Sequence, residues 1–151
     1  MIAHQISIFA ENKPGRLAKV TSVLAAKKIN IRAITISSSD EFGVINMLVD
    51  NPEKAHRALV EAGLTVSLKP VVAVLMQDRP GGLDKLIHVL SDQGINIENA
   101  YGFVLESWEK AVFVVEVENM EKTLKALEAR KFETLDAEAL AAIEPFHYMK
   151  Y

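Results

Sequence analysis

The sequence predicts an α+β fold built twice: two βαββαβ units in tandem, each an antiparallel sheet with both helices on one face. The first observation behind this is a duplication. Residues 13–31, KPGRLAKVTSVLAAKKINI, return as residues 79–97, RPGGLDKLIHVLSDQGINI. Pro14, Gly15, Leu17, Lys19, Val23, Leu24, Ile29, Asn30 and Ile31 recur as Pro80, Gly81, Leu83, Lys85, Val89, Leu90, Ile95, Asn96 and Ile97, at a constant offset of 66. A shared register of this kind marks a repeated structural unit. The second observation is the hydrophobic period, which switches between two and 3.6 in the same order in both copies. The third is composition: 50% hydrophobic and 25% charged residues fit an ordinary packed core. The units span residues 1–69 and 70–151. A unit of about 70 residues buries only about 60% of the surface its unfolded chain exposes, so two gain by packing on each other or on a second chain.

Ile2 to Ala10 alternates, with Ile6, Ile8 and Ala10 on one side and Gln5, Ser7 and Phe9 on the other, which predicts a half-buried strand. Asn12-Lys13-Pro14-Gly15 breaks it, and proline with its fixed φ is well suited to open a helix. Leu17, Val20 and Val23 or Leu24 follow at helical spacing to about Lys28. Ile31–Ser37 and Gly43–Asp50 predict two strands around the polar turn Ser38-Ser39-Asp40-Glu41, hence an antiparallel hairpin. Asn51-Pro52-Glu53-Lys54 has a capping amide, a proline at the first helical position and an acid in the first turn. Ala55, Leu59 and Val60 form that helix's apolar stripe and Gly63 stops it; Leu64–Lys69 is the fourth strand. Pro70 is read as the sole linker.

The second unit repeats the plan: strand 71–77, helix 81–93, strands 97–106 and 111–118, helix 120–130 and a short strand 132–135. Its hairpin is two residues longer, because Asn119 and Asn51 differ by 68 rather than 66. Asp136 caps a terminal turn, Ala137 to Ile143, ended by Pro145. The order strand, helix, strand, strand, helix, strand is the split βαβ, or ferredoxin-like, plan.

In each unit a strand is followed by [D/N]-x-P-G-x-L, an amphipathic helix and a hydrophobe–Asn–Ile step into the next strand. These stretches are Asn12-Lys13-Pro14-Gly15-Arg16-Leu17 with Ile29-Asn30-Ile31, and Asp78-Arg79-Pro80-Gly81-Gly82-Leu83 with Ile95-Asn96-Ile97. The pattern resembles the ACT domain, a small regulatory module, present here as two copies covering nearly the whole chain. The resemblance implies that paired domains bind a small molecule, most often an amino acid, between the first loop of one domain and its neighbour. It also implies regulation of an enzyme fused to the module or associated with it.

The chemistry of these loops suits such a ligand. Amides at a helix start are unsatisfied donors at a positive dipole end and favour a carboxylate. Asn12 or Asp78 can accept from an ammonium group, and Asn30 and Asn96 offer both donor and acceptor. Arg16 either clamps a carboxylate or plugs the site; Gly82, in the same place, lacks a side chain and is expected to open space. The second unit's loop, with Asp78, is the expected ammonium site. A purely structural reading stands beside this: Asn12 and Asp78 satisfy backbone donors at the helix start, Pro-Gly is turn chemistry, and Asn30 and Asn96 are left-handed residues ending each helix.

Other function classes find little support. The net charge of −3 and pI of about 5.8 give no electrostatic case for nucleic acid or an anionic membrane. Tyr101-Gly102-Phe103-Val104 faintly resembles the aromatic signature of RNA-recognition modules, but it falls on a second strand instead of a third. There is no cysteine, which removes thiolate metal sites and cysteine nucleophiles. His4, His56, His88 and His147 are scattered, and Ser37–Ser39 lacks the G-x-S-x-G context of a nucleophile elbow. No run approaches the ~20 apolar residues of a membrane helix. The expectation is a cytoplasmic, homodimeric, non-enzymatic regulator that binds an amino acid and needs no cofactor or metal. The alternative is a ligand-free interaction subunit that uses the same sheets and helices to hold a separately encoded metabolic enzyme. Tyr101, Phe103 and Trp108 lie on the longer hairpin, which is either an apolar contact surface or buries Phe103 within its unit.

Overall fold

The computed structural model describes residues 2–142. Twelve elements follow in the predicted order: β1 (Ala3–Glu11), α1 (Arg16–Ala26), β2 (Ile31–Ser39), β3 (Phe42–Val49), α2 (Pro52–Glu61), β4 (Thr65–Gln77), α3 (Gly82–Asp92), β5 (Ile97–Glu106), β6 (Lys110–Val117), α4 (Met120–Ala129), β7 (Thr134–Leu135) and α5 (Ala137–Ala142). The described residues gather into two compact units, one of His4–Lys69 and the other of Pro70–Ala142 together with Ile2 and Ala3. Ile143 and Pro145, expected to end the terminal turn, lie outside the described residues, as does His147.

In the first unit the strands lie in the order β2-β3-β1-β4, and in the second β7-β4-β6-β5. The pairs β1–β3, β2–β3, β4–β6, β4–β7 and β5–β6 are antiparallel, with Ile8 opposite Ile45 in the first unit and Val74 opposite Phe113 in the second. This is the ferredoxin-like arrangement in each unit. Ile6, Ile8, Val20, Leu24, Met47 and Leu59 make the first core; Val72, Val74, Leu86, Leu90, Val115 and Leu127 make the second.

Pro70 is not a linker. It lies inside β4, a 13-residue strand that serves as the last strand of one unit and the first of the next. Proline is compatible with a strand wherever its missing N–H is not needed for pairing. Val66 and Leu68 pack on the first core, and Val72 and Val74 on the second.

Three further expectations are corrected. Gln5 and Ser7, expected on a solvated face, are buried, and Ser7 Oγ donates to Asn46 Oδ1 at 2.6 Å. That hydrogen bond satisfies the hydroxyl away from water. Val60 is 47% exposed, and Ala58 takes its place in the buried stripe of α2. The left-handed residues after the helices are not Asn30 and Asn96 but Lys28 (φ 57°) and Gly94 (φ 68°), two positions earlier. Gly63 and Lys131 do the same after α2 and α4. Helices α1 to α4 close in one way, with Ile29, Leu64, Ile95 and Phe132 amides returning to the carbonyls of Leu24, Leu59, Leu90 and Leu127. Asn51 and Asn119 cap α2 and α4 as their sequence predicts, accepting from the amides of Lys54 and Lys122.

Candidate functional site: the loops that open the first helix of each unit

Pro14 and Pro80 do not occupy the first helical position. Each lies in a turn, and the following glycine forms the helix N-cap in a left-handed conformation: Gly15 at φ 91° and Gly81 at φ 86°. Glycine adopts that conformation at no steric cost, which is the local reason for the Pro-Gly pair. No side chain caps either helix. The Arg16 amide donates to the Lys13 carbonyl and the Gly82 amide to the Arg79 carbonyl, so the amides left to an anion are those of Leu17 and Ala18, and of Leu83 and Asp84.

Asn12 and Asp78 do not cap the helices; they tie each loop to the tip of the adjacent hairpin. Asn12 Nδ2 donates to the Asp40 carbonyl at 3.1 Å, and the Asn12 amide donates to the Glu41 carbonyl at 2.7 Å. In the second unit the Trp108 amide donates to Asp78 Oδ2 at 2.8 Å, and the Asp78 amide to the Glu109 carbonyl at 3.1 Å. The residues held, Asp40 (φ 52°) and Trp108 (φ 66°), are both left-handed turn residues. Asp78, expected to offer its charge to an ammonium, spends one oxygen on the hairpin. Asn12 uses only its NH₂ group in this way and keeps its carbonyl oxygen.

The two loops differ most at the position after the glycine. In the second unit a Cβ on Gly82 would stand 2.2 Å from the Gln77 carbonyl oxygen, so the helix start packs directly on the end of β4. Gly82 does not open space for a ligand; it permits a close backbone contact. In the first unit the same position carries Arg16, whose Nη2 is 3.2 Å from Glu11 Oε1. Lys13 Nζ lies 3.2 Å from the other oxygen of Glu11. The hydrogen bond and charge of Lys13, then the charge of Arg16, hold the Glu11 carboxyl below the usual carboxylate range.

Beside Arg16 the first unit keeps a cavity of about 140 Å³. Asn12, Lys13, Arg16 and Leu17 line one side; Ile36, Ser38, Gly43 and Ile45 of the hairpin line the other, with Ala10 and Glu11 at the end of β1. Antiparallel register places Ile36 opposite Ile45, so the two form one apolar wall. The cavity thus offers a guanidinium, an amide oxygen and a hydroxyl around apolar side chains. Glu11, Ile36 and Ser38 are not singled out by the sequence motif. Glu11 directly precedes the motif at the end of β1; for Ile36 and Ser38 the sequence signal is the hairpin, about 25 positions from the loop.

Of the predicted residues, Asn12, Pro14, Gly15, Arg16 and Leu17 meet at one end of their unit, and Asp78, Pro80, Gly81, Gly82 and Leu83 at the equivalent end of the other. Asn30 and Ile31, and Asn96 and Ile97, follow the far ends of α1 and α3. An 11-residue helix separates them from the loops, about 16 Å of rise. The Asn30 amide donates to Asp50 Oδ1 and the Asp50 amide to the Asn30 carbonyl, which closes that far end. Asn96 lines a separate depression of about 600 Å³ with Glu118, Asn119 and Lys122.

Among the described residues no three His, Asp or Glu side chains stand close enough to hold a metal ion. His88 makes only an exposed contact with Asp84, and the backbone carbonyl of Asp84 and its charge raise the histidine pKa. Among the described residues no helix is long and apolar enough to cross a membrane.

Residues 1–144 match the family model of the ACT domain pair. A solved protein from Bacteroides thetaiotaomicron shares 37% identity with the chain, covers 94% of it and 97% of its own length, and superposes with a TM-score of 0.88. The regulatory subunit of aspartate kinase from Thermus thermophilus has the same fold at 21% identity, with 87% and 97% of the two chains covered and a TM-score of 0.61. Its counterpart from Thermus flavus stands at 22% identity, 85% and 93% coverage and a TM-score of 0.55. No curated protein matches the chain.

Proposed function

For a chain that belongs to the ACT domain pair family, we propose a non-enzymatic regulatory function: it binds a small amino acid at the β1–α1 loop of the first unit. The observation that carries this is the cavity beside Arg16, next to a helix start that no side chain caps. A ligand carboxylate takes the Arg16 guanidinium from Glu11 and faces the amides of the first turn of α1. The ammonium group is met by the free oxygen of Asn12, the Ser38 hydroxyl and the released Glu11 carboxylate. Leu17, Ile36 and Ile45 receive the side chain. At about 140 Å³ the cavity is small, and so is the preferred ligand. Binding regulates by favouring whichever arrangement of the protein holds the cavity in this shape. The other predicted loop, from Asp78 to Leu83, is a structural copy in this reading, and Asn30, Ile31, Asn96 and Ile97 support the far ends of the helices.

Isothermal titration against the standard amino acids tests this, with wild type beside Arg16→Leu. A charge-assisted hydrogen bond contributes about 1.5–3 kcal/mol, so the variant should bind about tenfold or more weakly. Equal affinity in both proteins would remove Arg16, and with it the site, from the account.

A second reading has its own support. The loop of the second unit is drawn tight by Gly82 and Asp78, while Val104 (57% exposed) and Trp108 (67%) stand out on its hairpin. Such a unit suits contact with a partner, a separately encoded metabolic enzyme, as the two Thermus proteins are regulatory subunits by name. Homodimerisation belongs to either reading. Its support is the edge strand β2, where Ile34 and Ile36 are 41% and 53% exposed. Multi-angle light scattering at micromolar concentration should give twice the chain mass, and a monomer mass would rule the dimer out.

A further inference from the structure

The two copies differ in a way that neither the fold nor the amino-acid reading requires. In the second unit a cavity of about 400 Å³ lies between the end of β4, the β5–β6 turn and the segment after α4. Its wall carries five cationic side chains, Arg79, Lys85, Lys110, Arg130 and Lys131, against two carboxylates, Glu109 and Glu133. This concentration of positive charge sits in a chain whose net charge is −3. Only Arg79 has an ion-pair partner there, Glu109 at 3.8 Å; the other four make no side-chain ion pair among the described residues. With five cations against two carboxylates the wall carries an excess of positive charge, which repels itself unless an anion joins it.

The duplication supplies an internal control. Lys110 pairs with Gln77 in the position that Phe42 takes opposite Glu11, so Lys110 and Phe42 are counterparts. Arg130, Lys131 and Phe132 correspond, at the offset of 68, to Ala62, Gly63 and Leu64. The first unit therefore builds the same turn and helix end with an aromatic residue, an alanine and a glycine. Lys131 holds its left-handed conformation where the first unit has glycine. Lys28 shows that a lysine tolerates such a position, so it is the cluster, and not the strain, that points to a ligand. The apolar residue is the part both copies retain: half-buried Leu75, Met76 and Phe132 form one side of the cavity.

We propose that this cavity binds a small polyanion with an apolar or aromatic body, of the chemistry of a nucleoside polyphosphate. Its volume lies in the range of about 300–1,000 Å³ typical of small-molecule sites. Lys131, Lys110 and Lys85 act as point charges, and the Arg guanidinium groups can hold phosphate oxygens in pairs. The cavity belongs wholly to the second unit, so this inference stands or falls independently of the amino-acid site.

Calorimetric titration at low salt with ATP, inorganic tripolyphosphate and adenosine tests it. ATP should bind more tightly than tripolyphosphate, and adenosine should not bind measurably. Raising ionic strength from about 0.05 to 0.3 M should weaken ATP binding strongly, since exposed charges are screened over a few ångströms there. The double variant Arg130→Ala/Lys131→Gly carries the residues of the first unit and should keep its melting temperature without ligand. It should bind ATP about tenfold or more weakly, because two charge-assisted contacts are lost, while any amino-acid affinity stays as in wild type. Absence of binding by both ATP and tripolyphosphate at millimolar concentration, equal ATP affinity in the variant, or adenosine binding as tightly as ATP would each overturn the proposal.

Discussion

Arg16 and Gly82 occupy the same position in the two copies and lead to opposite local chemistry. Arg16 pairs with Glu11 and brings a guanidinium to a cavity; Gly82 lets the helix start rest on the Gln77 carbonyl. The two cases call for different responses to alanine. Gly82→Ala forces a backbone shift, and overpacking of this kind costs about 1–3 kcal/mol. At Gly15 an added Cβ meets nothing within 4 Å, and the cost is the left-handed φ alone, about 1 kcal/mol. Chemical denaturation should therefore rank Gly82→Ala below Gly15→Ala in stability. The reverse order would mean that the tight contact at Gln77 is not a feature of the protein in solution. From sequence both positions were legible as loop residues next to Pro-Gly, but their roles were not. Whether a missing side chain leaves a space or admits a backbone atom depends on the angle between helix and strand, which no local motif encodes.

Among the elements, strands and helices follow from hydrophobic period and from caps such as Asn51 and Asn119, whose side chains bond the amides that their positions imply. The errors occur where a local signal met a tertiary one. Pro70 reads as a break because proline removes a donor, yet apolar residues on both sides carry β4 straight through it. Gln5 and Ser7 read as solvated because they are polar, but Ser7 bonds Asn46 and both are buried. Asn30 and Asn96 read as left-handed because asparagine favours that conformation, whereas the chain turns two residues earlier at Lys28 and Gly94. Asn12 and Asp78 were legible as ligands of backbone groups; their partners, in hairpin tips about 30 residues away, were not.

At the scale of the whole molecule, the duplication was plain in the sequence and carried the fold with it. What the repeat hides is division of labour. One copy keeps a small cavity with a guanidinium at an uncapped helix start, and the other seals that place and gathers cations at the neighbouring turn. The asymmetry arises from a few substitutions: Gly82 for Arg16, Lys110 for Phe42, and Arg130-Lys131 for Ala62-Gly63. It also means that ligand-binding and partner-binding readings need not compete, because different units can serve each. The most direct test of the central claim is amide chemical-shift mapping of the ¹⁵N-labelled protein during titration with the amino acid that binds in the calorimetric screen. The account predicts shifts concentrated in residues 10–17 and 36–45, with residues 78–83 unmoved. Shifts centred on residues 78–83, or on Asn30 and Asn96 alone, would contradict it.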